Sequence, residues 1–162
     1  MMQEESELEY AGFWLRFGAT LIDTALLFIV TMPLLLAMYG AEYWTSTTMV
    51  MGPADALISY VLPAILVIGL WLRFSATPGK KAIGATIVDA RTGGKPGTGQ
   101  FLIRYAGYFV SALPLGLGCI WAGFDARKQA WHDKMARTVV VRRKAGATEP
   151  VRFELPPGPP PA

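Results

Sequence analysis

Residues 14–38 read WLRFGATLIDTALLFIVTMPLLLAM and decide the fold of this chain of 162 residues. The stretch is apolar except for Arg16, Asp23 and three threonines. From residue 17 to residue 38 it supplies about 22 residues, enough to cross a hydrocarbon core of roughly 30 Å at 1.5 Å per residue. We predict a transmembrane helix. It should be retained, because the preceding polar tail, residues 1–9, is acidic where a signal peptide is basic.

Composition places the whole chain in the membrane class. Hydrophobic residues make up 52% and charged residues 17%, whereas a soluble domain carries about a quarter charged residues. One cysteine and one histidine exclude a disulfide framework and a structural zinc site of the usual kind. We expect no metal, no cofactor and no enzymatic activity. The Gly-Lys pairs at 79–80 and 94–95 lack the rest of a nucleotide-binding loop, and the basic residues suit anionic lipid headgroups better than nucleic acid.

Two further apolar runs follow, and the basic residues indicate their orientation. The second run is Ala56 to Leu72, and the third, Gln100 to Phe124, is interrupted by Arg104 and by residues 114–118 (PLGLG). The 39–54 loop has no Lys or Arg, so the N-terminus and the 73–99 segment should be cytoplasmic in a bacterial inner or plasma membrane. A third run that breaks and re-enters would keep the basic C-terminal segment cytoplasmic, whereas a single crossing would place it outside.

Short β-branched segments lie between and after these runs. Residues 85–90 (ATIVDA) and 138–142 (TVVVR) predict two strands able to pair, and Thr77–Lys80 predicts a turn. We expect an all-α multi-pass membrane protein with two transmembrane helices, a third helix that is broken, re-entrant or spanning, and a small cytoplasmic β element. The transmembrane domain should cover residues 10–143. Residues 144–162, which end in LPPGPPPA, should be a disordered tail.

Charged residues near the apolar runs are the candidate functional groups. Arg16 and Asp23 lie seven positions apart and therefore on nearly the same helix face. A charge at membrane depth usually faces a partner or a water-filled cavity. Asp23 is thus either a structural contact between helices or a carboxylate that exchanges a proton or cation. His132 and Asp133 after the last run are either a proton-handling pair or a solvated segment.

Four motifs, in order, resemble those of the RDD family, which is named for an arginine and two aspartates. They are residues 10–17 (YAGFWLRF) with Asp23, residues 77–80 (TPGK), Arg104-Tyr105, and residues 129–141 (QAWHDKMARTVVV). Arg137 departs from the pattern, since relatives often carry glycine there. The resemblance implies that the three named residues are Arg16, Asp23 and Asp133. The candidate polar site therefore comprises Arg16, Asp23, Arg104, His132 and Asp133.

The family likeness implies a membrane transport or transport-accessory role, linked in some members to cation or proton exchange. The alternative is a non-transporting scaffold or assembly subunit, in which the same residues only lock helices together. With so few helices, we expect lipid and either further copies of the chain or other membrane proteins as partners. We also expect Arg16 to bridge Asp23 and Asp133.

Overall fold

Two long apolar helices dominate the computed structural model, which describes residues 8–143, 151 and 153. Helix α1 is Phe13–Tyr39 and continues into a 3-10 turn at Gly40–Trp44. Helix α2 is Pro53–Phe74 and contains one π-helical turn. Both are long and apolar enough to cross a membrane, and only 6% and 11% of their most apolar windows are buried within the chain. Most of their surface is therefore left for lipid or for another protein.

A short helix, α3, follows the second span at Pro78–Ala82. Residues 77–80 were expected to form a turn, and that prediction is wrong. Thr77 has an extended backbone and precedes Pro78, which occupies the first helical position. Proline is favoured there because its fixed φ suits a helix and its missing N–H would have no partner in the first turn. The same Pro-Gly pair that is typical of turns thus begins a helix here.

The third apolar run is broken, in agreement with the first of the two alternatives predicted from the sequence. Helix α4, Thr98–Ala112, and the segment Leu117–Gly123 meet at an angle of 113°. The segment begins with the single-turn helix α5, Leu117–Ile120. At the break, Leu115 and Gly116 have φ values of 53° and 77°, which end a right-handed helix.

A three-stranded antiparallel sheet joins distant parts of the chain. Its strands are β1, Leu8–Tyr10, β2, Ala85–Asp89, and β3, Thr138–Arg143, in the order β1-β3-β2. Pairing of the 85–90 and 138–142 segments is confirmed, with Ile87 opposite Val140. Strand β1 was not predicted, because three residues carry too little periodicity to signal a strand. Its Glu9, placed in the polar tail by sequence, forms an ion pair with Arg142.

The sheet is covered on both faces, and one of its cores reaches the second span. Trp71 at the end of α2 is buried with Phe101 of α4 and with Ile87 and Val140 of the sheet. The last short helix, α6, is Trp131–Ala136 and leads directly into β3. A second cluster contains Val139, Val141 and Val151 with Phe153 against it. Apart from residues 151 and 153, the predicted disordered tail lies outside the described residues.

Candidate functional site

Asp133 lies at the centre of the polar cluster. Its carboxylate contacts the guanidinium groups of Arg16 from α1 and Arg104 from α4. It also accepts a hydrogen bond from the backbone N–H of Ala130 at 2.9 Å, which caps the first turn of α6. Asp133 is fully buried. One carboxylate therefore joins α1, α4 and α6.

The charge on Asp133 is held by its two cations. Burial alone would raise the pKa of this carboxyl, but Arg104 and Arg16 lower it well below its usual range. Asp133 is therefore ionised at neutral pH in the folded chain. A group in this state stabilises the two buried guanidiniums and does not exchange protons near neutral pH.

Arg104 extends the cluster into the sheet. Its Nη1 also donates to Thr138 Oγ1 at 2.7 Å, and its guanidinium lies 5.5 Å from the Trp71 ring centroid. Close packing of α4 on α6 depends on Gly107, where an added Cβ would lie 2.8 Å from His132 Cβ. The cluster therefore lies at the junction of the bent pair, the sheet and the second span.

His132 is a neutral, structural member of the cluster. Its Nδ1 is 3.2 Å from Ser111 Oγ, its Nε2 is 3.6 Å from Asp133 Oδ1, and its ring stacks on Tyr108 with centroids 3.9 Å apart. Burial is the main cause that lowers the pKa of His132 from 6.5 to about 3. Ser111, His132 and Asp133 are the residue types of a hydrolytic triad, although here the serine lies at Nδ1 and the aspartate at Nε2, the reverse of the catalytic arrangement. Ser111 is 0% exposed, however, and its hydroxyl also accepts the backbone N–H of His132.

Asp23 is separate from this cluster and fixes α3 to α1. Its Oδ1 accepts the backbone N–H of Gly79 at 2.7 Å, and its Oδ2 accepts the hydroxyl of Thr77 at 2.5 Å. The approach requires glycine, because a Cβ at position 79 would lie 2.1 Å from the carbonyl oxygen of Ala19. Asp23 therefore satisfies the donors at the beginning of α3, a common use for a carboxylate.

The expected pairing of Arg16 with Asp23 is wrong. Arg16 contacts Asp133 and donates through Nε to the carbonyl of Ala11 at 2.8 Å, while Asp23 is satisfied by Thr77 and by a backbone amide. The contact of Arg16 with Asp133 is present, but no bridge to Asp23 accompanies it. Helical spacing implies that the two residues share a face of α1, yet each is bound by partners from other elements.

Sequence reasoning missed a second polar cluster at the far end of the spans. Asp55 at the start of α2 is buried and accepts hydrogen bonds from the Ser59 hydroxyl at 2.6 Å and the Met51 backbone at 2.8 Å. Its own N–H donates to the Tyr39 hydroxyl at 3.0 Å. These residues lie in or beside a segment read as an open loop, and Tyr39 is too distant in sequence to signal the contact. Ser111 was missed for the same reason, whereas Thr77 and Lys80 were identified only as part of the motif at residues 77–80.

Metal binding gains no support from the part of the chain that the structure describes. Within residues 8–143, 151 and 153, no group of three or more His, Cys, Asp or Glu side chains is arranged to hold an ion.

The match to known proteins covers both carboxylate sites. Residues 10–137 match the RDD family, an interval that contains Arg16, Asp23 and Asp133. The chain belongs to the RDD family. This RDD chain is 29% identical over 153 aligned residues to "Uncharacterized protein YxaI" of Bacillus subtilis (strain 168), an alignment that covers 81% of the chain and 96% of that protein. No solved structure matches this RDD chain.

Arg16, Asp23 and Asp133 make different contacts in this chain. Asp133 and Arg16 tie α6 to α1, and Asp23 ties α3 to the same helix. Two separate polar contacts therefore attach short helices to one transmembrane helix, α1.

Proposed function

We propose that this RDD protein is a transport-accessory subunit of a membrane assembly and does not move ions alone. The observation that supports this is that both candidate carboxylates are engaged in contacts that join helices. Asp133 is occupied by two guanidiniums and an amide, and each oxygen of Asp23 accepts a hydrogen bond. Contacts of this kind hold helices in place, and proton or cation exchange at Asp133 would have to displace its two guanidiniums.

The exposed spans supply the surface for assembly. Large apolar side chains along α1 and α2 are open, among them Ile29 at 65% and Ile65 at 63% exposure. Lipid covers such surfaces as well as protein does, but two helices and a bent pair enclose little space for a pathway. We therefore propose that partners, either further copies or other membrane proteins, pack on these faces. We also propose a non-enzymatic role, because the buried Ser111 is not placed to meet a substrate.

Reconstitution tests this proposal directly. The purified chain in liposomes should show no proton or sodium flux above that of empty vesicles. Copies labelled with donor and acceptor fluorophores should show energy transfer that persists on dilution with lipid if the partner is a further copy of the chain. If the partner is another membrane protein, energy transfer should appear only when that protein is supplied. Cation or proton exchange by the pure chain, abolished by Asp23→Asn while the amount of folded protein is unchanged, would overturn the accessory role.

The second candidate function is a cation- or proton-linked exchanger built from several copies. One observation favours it. Asp23 lies within the first span and is only partly buried, so an ion could approach its carboxylate. The same Asp23→Asn variant decides between the two functions, because the accessory role predicts a change in stability without any flux to lose.

We propose a multi-pass arrangement in a bacterial inner or plasma membrane, with the sheet on the cytoplasmic side. A hydrogen-bonded sheet cannot straddle a bilayer, so strands β1 and β3 must share one side, and this supports a third run that enters and returns. On a Cys119→Ala background, a cysteine at Thr47 should react with an impermeant outside reagent. A cysteine at Arg143 should not, and its labelling from outside would favour three complete crossings.

A further inference from the structure

We propose that the cavity beside Arg16 binds the phosphate of an anionic phospholipid. The cavity has a volume of about 290 Å³ and lies where α1, α3, α4 and α6 meet. Three of its lining residues are cations, Arg16, Lys80 and Arg104. Much of the rest of its wall is aromatic, from Phe13, Phe17 and Tyr108.

The cavity carries more positive charge than the chain neutralises. Asp133 is shared between Arg16 and Arg104, so one carboxylate serves two guanidiniums. Lys80 is buried, and its Nζ contacts the Thr77 hydroxyl at 3.4 Å rather than a carboxylate. Even if Asp23, which bonds the same hydroxyl, is counted against Lys80, one positive charge remains. His132 adds no negative charge, because an imidazole side chain is either neutral or cationic. The electrostatics thus favour an anion.

Donor groups without partners lead to the same conclusion. Arg16 Nη2 and Arg104 Nε are buried nitrogens that form no hydrogen bond within the described residues. A buried N–H without an acceptor is costly, and native structures rarely leave one. Both arginines line the cavity, so these covered nitrogens belong to side chains that border the space an oxyanion would occupy. A phosphate offers several acceptor oxygens in the geometry that arginine recognises best.

The position of the cavity identifies a lipid rather than a free phosphate as the source. Phe13 and Phe17 belong to the first turns of α1, beside Trp14, which is 78% exposed. Exposed aromatics at the end of a transmembrane helix are typical of the interface, the depth at which headgroup phosphates lie. A diacyl lipid would place its phosphate among the cations and its acyl chains along the exposed apolar face of α1.

The single cysteine of the chain provides the assay. Cys119 lines the same cavity and is partly exposed, so its alkylation by a small maleimide reports on occupancy. The rate should be measured in neutral detergent with added short-chain phosphatidylglycerol. When the free lipid is at five times its Kd, the rate should fall about sixfold by mass action. Phosphatidylcholine, which has no net charge, should protect much less.

Two further arms make the result decisive. Lys80→Gln should weaken protection by phosphatidylglycerol, while the same change at its exposed neighbour, Lys81→Gln, should not. Equal protection by glycerol phosphate alone would contradict a lipid source, and equal protection by phosphatidylcholine would contradict recognition by charge. Unchanged labelling with every additive in the unsubstituted chain would overturn the site, whatever the stability of the variants.

Discussion

Substituting Asp133 with asparagine removes one negative charge from between two guanidinium groups and keeps the size of the side chain. In the folded chain, Arg104 would then be completely buried and Arg16 12% exposed at its side chain, with no carboxylate in contact with either. The amide oxygen of asparagine can still accept from Ala130 N–H, so the cap of α6 is largely kept. The perturbation is therefore mainly electrostatic.

The expected loss follows from the burial of the pair. Removing one partner of a buried ion pair costs about 3–5 kcal/mol, because the remaining charge is left uncompensated. Asp125→Asn is a matched control, since it makes the same chemical change eight positions earlier. Asp125 pairs with Lys134, whose side chain is 44% exposed, so solvent screens that pair and its loss should cost about 0.2–1 kcal/mol. The two variants should differ by at least about 2 kcal/mol.

The assay is chemical unfolding in lipid–detergent bicelles, followed by tryptophan fluorescence. Trp71 lies 5.5 Å from the Arg104 guanidinium and reports on the cluster. A double variant that combines Asp133→Asn with Arg16→Gln should lose less than the sum of the single losses, because the second change removes a charge that the first left unpaired. Equal losses for Asp133→Asn and Asp125→Asn would refute the idea that the buried charges hold the helices together.

Three more predictions follow from the same contacts. His132 is protonated below pH 6.5 in the unfolded chain, whereas burial lowers its pKa to about 3 in the folded chain. Stability should therefore fall as the pH falls from 6.5 towards 3, and His132→Gln should remove this contribution from acid-unfolding curves. A double-mutant cycle of Arg16→Gln and Asp23→Asn should be additive within about 0.5 kcal/mol, since the two side chains have different partners; a larger coupling would show that they interact. Gly79→Ala should cost about 1–3 kcal/mol by forcing α3 away from Ala19, whereas Gly99→Ala, with open space around it, should cost nothing in the same unfolding assay.

The sequence by itself determined the membrane-spanning segments and the main strands. Their signals are local, because twenty apolar residues must be covered by lipid and a β-branched run has few other structures to adopt. The Pro-Gly interruption of residues 100–124 likewise favoured a break but left a single crossing open, since a helix loses hydrogen bonds at proline and yet can continue past it. The prediction of a turn at residues 77–80 was wrong because proline is favoured at the start of helices as well as in turns. Strand β1 was too short to carry a pattern.

Only the tertiary structure decided which charges meet. Arg16 and Asp23 share a helix face, so spacing alone favoured their pairing, but Asp133 lies 117 positions from Arg16 and binds it instead. The carboxylate of Asp23 accepts a hydrogen bond from the backbone N–H of Gly79, and a backbone donor of this kind cannot be identified from residue type. Partners of this kind are set by how α3, α4 and α6 pack on α1. The sequence identifies the charged residues, and the packing of the helices determines which partner each of them contacts.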